Sequence, residues 1–370
     1  MTDTGSRIIV GLSGGVDSAV SAYLLVRQGY RVEGLFMKNW EDDDAPGVCP
    51  AAEDRSFADQ VCSELGIPLH DANFSQRYRE QVFEHCLAEF RAGRTPNPDV
   101  LCNRHIKFGA LVDHAQRLGA DAVATGHYAG IRGEPGNWRL MRAADPSKDQ
   151  TYFLHALTQE QLAWARFPLA ELTKARVREI AADAGFDNFN RKDSTGICFI
   201  GERDFRGFLA HYIEPQPGPI MTDAGDYLGE HMGLAFYTIG QRRGLDLGGR
   251  GGPWYVANKD PERNRLIVVE GHDHPALFSH GLQATPVHWI GLTVRELPRR
   301  CVARNRYRQP DQSCLIEPTR DGVRVCFDRP QRALTPGQYV VFYDREECLG
   351  GGVIDHIEGQ NDEGIERVSA

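Results

Sequence analysis

The sequence predicts an α/β protein that begins as a doubly wound parallel sheet and ends as small antiparallel β-structure. Three observations carry this. Short apolar runs alternate with Gly-stopped helical patterns up to about residue 200. From about Asp204 Pro and Gly crowd the chain, and from about Leu282 short alternating runs are broken by turn residues. A glycine-rich stretch, GLSGGVDS (11–18), occupies the first strand-to-helix junction, a common seat for phosphates.

RIIVGL reads as the first strand, and DSAVSAYLLVRQG as a helix stopped at Gly29. RVEGLFMK is a second strand, AAEDRSFADQVCSELG a second helix, and IPLHDA a short third strand. YREQVFEHCLAEFRAG and FGALVDHAQRLG are helical, and DAVATGHY is a further strand. Repeated β–α units imply right-handed crossovers with helices on both faces. In such sheets ligands bind at the carboxyl ends of the strands, so GLSGGVDS, MKNW and GHY should meet at one rim. FRGFLAHYI reads as a short helix, followed by hairpin-like stretches, DYLGEHMGLAFYTIGQRRG and PWYVANKDPERNRLIVVEG. The last runs, from CVARNRYR to CLGGGVID, have the pattern of a small antiparallel barrel or sandwich.

Composition narrows the class. The 370 residues leave room for two or three domains, and 41% apolar with 25% charged residues is ordinary for a soluble protein. The polar start MTDTGSR, with no apolar run of membrane-spanning length, predicts a cytoplasmic protein without a membrane partner. The nine cysteines are an odd count without a CxxC, which argues against a disulfide scaffold and an iron–sulfur cluster alike. A net charge of −9 has the wrong sign for a nucleic-acid binder, yet PRRCVARNRYR (298–308) holds five arginines and no acid. That run reads either as a solvated, charge-balanced face or as an RNA-facing strand. The acidic stretch EDDDAPG (41–47) reads as a solvated loop.

The glycine-rich stretch has no lysine, unlike the GxxxxGK[ST] loop that grips a phosphate during its transfer. Gly14 and Gly15 admit close backbone approach, Ser13 and Ser18 offer hydroxyls, and Asp17 is placed to help hold Mg2+. Such a site suits a pyrophosphate that departs, leaving an adenylated substrate. The same residues also suit a plain strand–helix turn with an Asp/Ser cap. Two cysteines stand in polar, turn-rich segments: Cys102 in GRTPNPDVLCNRHIKFG and Cys198 in RKDSTGICFIGER. Arg104, His105 and Lys107 flank the first at an expected helix start, and Arg191 and Lys192 precede the second, settings that favour thiolates. Cys62, Cys86 and Cys326 fall in periodic patterns, where a buried structural thiol is the default.

SGGVDS after the first strand resembles the PP-loop ATP pyrophosphatases, which adenylate a carbonyl oxygen. More of the chain resembles one branch of them, the tRNA-specific 2-thiouridylases. FMKNW, GRTPNPDVLCN, ATGHY, KDQTYFL, KDSTGICFIGER, YTIGQRRGL, PWYV, GHDHP, RYRQ and TPGQYVVFY all occur in that family's order. The resemblance implies an adenylating HUP-type domain (1–203), a small central domain (204–278) and a C-terminal β-barrel that binds tRNA (279–370). It implies ATP-dependent replacement of the C2 oxygen by sulfur in the wobble uridine of tRNAs for Lys, Glu and Gln. ATP would lie on Gly11, Leu12, Ser13, Gly14, Gly15, Val16, Asp17, Ser18 and Met37, with Gly126 on the adenine side. Asn97, Pro98 and Asp99 would frame a flipped-out uridine. His127, Lys148, Asp149, Gln150, Arg306, Tyr307 and Gln338 would contact the tRNA.

Cys198 would carry the persulfide. Cys102 would attack it or release its terminal sulfur, leaving a transient Cys102–Cys198 disulfide. Asp99 reads equally as an acid/base group and as an Asx turn after Pro98. The sulfur would come from a cysteine desulfurase or a relay carrier protein. Two rivals remain: an amide- or lysine-transferring PP-loop ligase, which needs neither cysteine, and a non-catalytic RNA- or nucleotide-binding module.

Overall fold

The computed structural model describes residues 5–41, 50–191, 205–248, 251–291 and 296–359. A five-stranded parallel sheet comprises β1 (Arg7–Leu12), β2 (Arg31–Lys38), β3 (Leu69–Asn73), β4 (Ala122–Ala124) and β7 (Ala165–Arg166), in the order β3-β2-β1-β4-β7. β1 shows why it sits centrally. Ile8, Val10 and Leu12 pack on one face with Ala22 and Leu25 of helix α1 (Val16–Arg27) and Cys62 of helix α2 (Pro50–Leu65). Ile9 faces the other side, against Leu35, Leu111 and Val123. Both faces are covered, so the strand reads as an unbroken apolar run rather than an alternating one. Strand order reverses between β1 and β4, which opens a crevice at their carboxyl ends.

Strands β5 (Gly130–Glu134) and β6 (Asn137–Met141) form a hairpin that the sequence pattern does not announce. It leaves the parallel sheet and adds to the C-terminal one, where Leu140 pairs Cys348 and Met141 pairs Glu347. That sheet contains β12 (Phe278–Trp289), β13 (Arg299–Arg304), β14 (Gln312–Pro318), β15 (Val323–Arg332), β16 (Tyr339–Asp344) and β17 (Glu347–Ile357). Pairing of β12 with β17 closes it, so the barrel expectation holds over the sandwich. Closure depends on glycine. At Gly350, with φ of 136°, an added Cβ would lie 2.1 Å from the His288 carbonyl oxygen of the facing strand.

Between these units lies a four-stranded sheet of β8 (Gly218–Thr222), β9 (Tyr227–His231), β10 (Trp254–Asp260) and β11 (Arg265–Glu270), ordered β10-β11-β8-β9. PWYVANKDPERNRLIVVEG is the expected hairpin, β10–β11. The other expected hairpin is displaced by one segment, because Tyr227–His231 pairs backward with Gly218–Thr222. Gly233 turns the chain away, and Phe236, Tyr237 and Ile239 are buried instead of pairing.

One apolar cluster runs through all three units, from Leu35 and Phe108 through Leu209, Phe236 and Val256 to Tyr152, Tyr339 and Tyr343. Each such side chain contributes about 1.5–3 kcal/mol on burial, so the units stabilise one another. His155 is buried in this seam, its Nδ1–H donating to the Tyr152 carbonyl at 2.7 Å. Burial, opposed by that bond, lowers its pKa from 6.5 to about 4. The unfolded chain therefore takes up a proton below about 6.5 that the fold refuses until about 4. Stability is expected to fall as pH drops through that window, by at most about 3 kcal/mol from this group. Urea unfolding at pH 7 and pH 4.5 checks it, and a neutral His155→Gln should flatten the slope. An unchanged slope would refute the assignment.

Candidate active site

β1 ends at Leu12 and α1 begins at Val16, so Ser13, Gly14 and Gly15 make the turn. Gly14 has φ of 73°, and a Cβ there would lie 2.6 Å from the Asp54 carbonyl oxygen. Ser18 locks the turn from inside: its Oγ accepts from the Ser13 N–H at 3.2 Å and donates to the Gly15 carbonyl at 2.9 Å. The Gly14 carbonyl accepts from Asn188 Nδ2 (3.0 Å) and Arg191 Nη1 (3.2 Å), and Arg191 pairs with Asp54 at 2.7 Å. The first amides of α1 have no carbonyl four residues back to bond, which leaves them for an anion.

Gly126, just past β4, abuts this turn. A Cβ there would be 2.7 Å from both Asp17 C and Ser18 N. A Cβ on Gly11 would meet Met37 Cε at 3.5 Å. The expected rim therefore exists: the ends of β1, β2 and β4 bring together Gly11, the 13–18 turn, Met37 and Gly126. Its floor is backbone, with room at Gly15, where a Cβ would meet Ser13 Oγ alone within 4 Å, at 3.4 Å. This fits a nucleotide phosphate chain. No group of three or more metal-ligating side chains occurs among the described residues. A magnesium ion would accordingly rest on phosphate oxygens and a carboxylate such as Asp17.

Asp17 is already engaged. The Tyr128 hydroxyl donates to its Oδ1 at 2.8 Å, and Lys174 Nζ lies 2.8 Å from each carboxylate oxygen. Neither partner was visible as a site residue in the sequence. Gln150 supports this arrangement, since its Oε1 accepts from the Tyr128 N–H at 2.8 Å and its own N–H donates to the Tyr128 carbonyl at 2.9 Å.

The residues expected to frame the base lie in the segment 93–102. Asn97 caps a helix that starts at Pro98, its side chain accepting from the Asp99 N–H at 3.2 Å. The Asx turn thus belongs to Asn97, with Asp99 in the first helical turn. Cys102 is not at the helix start but one turn in, and fully buried. The helical path continues through a π-helical stretch, Asn103–Ala110. Cys198 and the rest of its segment beyond Arg191 lie outside the described residues, as does most of the acidic stretch after Glu41. Nearby Cys86 is buried, and burial, with Glu89 and Asp99 adding to it, pushes its thiol up to about 12. Burial likewise raises Cys62 to about 11. Both thiols are buried, as their periodic patterns led one to expect.

The chain before Asn97 is gripped by the other two units. Lys259 of β10 donates to the Gly93 carbonyl at 2.8 Å, and its burial lowers the ammonium pKa to about 8. The Thr95 N–H donates to the Pro336 carbonyl at 2.9 Å, and Gln338 Nε2 donates to the carbonyls of Thr95 (2.8 Å) and Pro96 (3.1 Å). Gln338→Ala strands both carbonyls at about 1 kcal/mol each. Sulfur transfer is expected to drop about tenfold with ATP affinity unchanged, measured by thiolation assay beside calorimetry. An equal loss in both would sink this positioning role.

Several residues expected on the RNA face lie along internal seams. His127 is buried beside Phe108 and Phe167, shares a 2.7 Å hydrogen bond with Thr125, and is held well below its ordinary pKa by burial and then by Lys107. Asp149 is 3% exposed, takes bonds from the Thr151 hydroxyl, and pairs with Arg304 at 3.3 Å. Lys148, beside it, is half-buried and donates its N–H to the Asp145 carbonyl. Arg306 donates to the carbonyls of Ile239 (3.3 Å) and Ala333 (2.9 Å), joining the segment after β9 to the barrel side. Tyr307 packs its ring 4.5 Å from that of Phe153. In the basic run, Arg299, Arg300 and Arg304 pair with Asp344, Asp328 and Asp311, so this part is a charge-balanced face.

Residues 6–202 match the family model described as tRNA methyl transferase HUP domain, 206–270 its PRC-barrel domain, and 279–354 an aminomethyltransferase β-barrel domain. The chain is similar to the tRNA-specific 2-thiouridylase of Alkalilimnicola ehrlichii, with 59% identity over 354 residues, 94% of this chain and 97% of that protein. It is similar to that of Pseudomonas paraeruginosa at 56% identity, covering 96% of each chain. The chain belongs to the tRNA-specific 2-thiouridylase family. The family's HUP, PRC-barrel and β-barrel parts coincide with the parallel sheet, the four-stranded sheet and the closed barrel seen here. No helix among the described residues is long and apolar enough to cross a membrane.

Proposed function

We propose that the protein is an ATP-dependent tRNA 2-thiouridylase acting on the wobble uridine of tRNAs for Lys, Glu and Gln. The observation that carries this is the backbone-floored SGGVDS turn at the sheet's switch point, in a chain that also holds Cys102 within an Asn97-capped helix. The shared name of its relatives supports it.

A uridine C2 carbonyl is a poor electrophile with a poor leaving group. ATP supplies the AMP group that makes its oxygen able to leave. The turn's amides and α1 stabilise the charge that develops on the departing pyrophosphate. Asn97, Pro98 and Asp99 hold the flipped base, with Asp99 orienting it or managing the N3 proton. The terminal sulfur of a Cys198 persulfide attacks C2. Cys102 thiolate then attacks Cys198 Sγ, breaking its S–S bond. That electron pair passes to the sulfur on C2, and AMP is expelled. The products are 2-thiouridine, AMP and a Cys102–Cys198 disulfide, which a cellular dithiol reduces. A cysteine desulfurase or a relay carrier reloads Cys198. His127, Lys148, Asp149, Gln150, Arg306, Tyr307 and Gln338 order the surfaces on which the anticodon loop rests.

The test is nucleoside mass analysis of unmodified glutamate tRNA after incubation with the protein, ATP, Mg2+, a sulfide source and reductant. A 2-thiouridine at the wobble position, missing with Cys198→Ser, is the expected result. AMP formed without sulfur in the RNA would refute thiolation while leaving adenylation standing.

A further inference from the structure

Two thiols face one another across the barrel wall. Strands β13 and β14 are antiparallel, and Cys301 stands directly opposite Cys314 in their register. Residues so placed have Cα atoms about 4.5 or 5.5 Å apart, and both values fall within the roughly 4.4–6.8 Å that a disulfide spans. Their side chains project to the same face, and the two Sγ atoms lie 3.7 Å apart. Cys326 shows that a place in the same sheet is not enough. It stands opposite Leu315, so it points to the other face, with its Sγ 3.7 Å from Glu317 Oε2.

The two thiols differ in access. Cys314 is fully buried in the barrel core with Ile316, Val325 and Phe342, whereas Cys301 is half-buried at the edge of that core. β16 pairs with β13 over Val302–Arg304, so Cys301 stands just beyond the covered stretch. The neighbouring Cys301 sulfur, and then burial, hold the Cys314 thiol well above its ordinary pKa, so Cys314 is not the sulfur that opens a reaction. Cys301 is the accessible nucleophile and Cys314 the resolving partner behind it. Between them in sequence runs the turn after β13, which carries contacts across the protein. Arg304 pairs with Asp149, and Arg306 donates to the Ile239 and Ala333 carbonyls.

We propose that Cys301 and Cys314 form a reversible oxidation site, a dithiol that low-molecular-weight disulfides convert to a cross-strand disulfide clamping the base of this turn. The Cys301 thiolate attacks the small disulfide, whose S–S bond breaks, and one thiolate leaves. Cys314 then gives up its proton and attacks Cys301 Sγ, forming the protein disulfide and expelling the second small thiolate. The two protein protons end on the departing thiols, and the two electrons lost by the cysteines reduce the small disulfide. The second step is intramolecular between sulfurs that are already neighbours. A dithiol reductant reverses the sequence. The pair belongs to a different core cluster from Cys102 and is independent of the thiolation chemistry. The clamp joins residues thirteen positions apart, a span over which a cross-link restricts the unfolded chain appreciably.

The experiment incubates the protein with glutathione disulfide, alkylates the remaining thiols under denaturing conditions and maps the peptides by mass spectrometry. Thermal melts of wild type and Cys301→Ser, with and without dithiothreitol, run beside it. A peptide pair linked through Cys301 and Cys314, absent after dithiothreitol, is the expected result. Oxidised wild type should melt about 4 °C above the reduced protein, as a cross-link of this span gives in a chain of this size. Cys301→Ser, which keeps Cys102, Cys198 and Cys314, should lose both the linked peptide and that upward shift. Glutathione standing on Cys301 with Cys314 alkylated would overturn the proposal, as would both thiols alkylated after prolonged oxidation. A link through Cys326 would overturn it too, and a Cys301–Cys314 bond without a rise in Tm would refute the clamp. The mapping reads wild type alone and decides the matter even if Cys301→Ser fails to fold.

Discussion

Cys102→Ser is expected to lower 2-thiouridine formation roughly a thousandfold or more, as removal of a reacting group does, while ATP affinity stays within about twofold. Cys102 is fully buried on the fifth residue of the Asn97-capped helix, close in sequence to the residues proposed to frame the base. Serine nearly matches cysteine in size, so the fold should lose about 1 kcal/mol, too little to unfold the protein. Cys86→Ser is the matched control. It too is buried, and its neighbours Glu89 and Asp99 add to the burial that holds it protonated up to about 12. A group so placed supplies no thiolate at neutral pH. Cys86→Ser should therefore thiolate tRNA at close to the wild-type rate. Loss of activity in both variants would show packing around the helix to be at issue, and full activity of Cys102→Ser would remove Cys102 from the mechanism.

Much of this site was legible because its signals are local. The run RIIVGL into SGGVDS specifies a buried strand, a turn and a helix start within a dozen residues, and the strand–helix alternation then dictates which ends share a rim. What escaped was decided by pairing across long distances. The hairpin Gly130–Met141 carries Arg132, Gly133 and Glu134, no strand signature, and is ordered by β17 some 200 residues later. Lys174 looks like the opening of an ordinary surface helix, and only the packing of that helix on α1 delivers it to Asp17.

A third group was expected against the tRNA and stands at seams inside the protein. Gln338, Arg306 and Asp149 belong to motifs of the family, yet their polar atoms are spent on carbonyls or partners at seams between units. A sequence motif does not tell a residue that holds a seam from one that meets a partner. The Cys102 helix began one turn earlier than expected because Asn97 and Pro98 together make a stronger start than the basic residues that follow.

Gly126→Ala is the second large effect, and it separates a cradle that must keep its shape from one that must keep its space. The new Cβ would fall 2.7 Å from Asp17 C and Ser18 N, both backbone atoms of the first turn of α1. Neither can swing aside as a side-chain tip can, so β4's end and the loop must part by several tenths of an ångström or more. That strain costs about 1–3 kcal/mol, visible as a lower Tm. The amides that should face the phosphates move with it, and ATP affinity is expected to fall about a hundredfold, the toll of misplaced preorganised donors. Gly15→Ala is the counterpart. Its φ of −86° is open to alanine, and its Cβ would meet Ser13 Oγ at 3.4 Å, an ordinary contact. The fold should be indifferent, with Tm unchanged, while the methyl group occupies the open face of the turn and weakens ATP by about tenfold or more. Calorimetry with a non-cleavable ATP analogue, paired with thermal melts, reads both quantities. If Gly15→Ala binds ATP normally, the phosphates do not lie over the turn; if Gly126→Ala does, the contact between β4's end and α1 has no part in shaping the site.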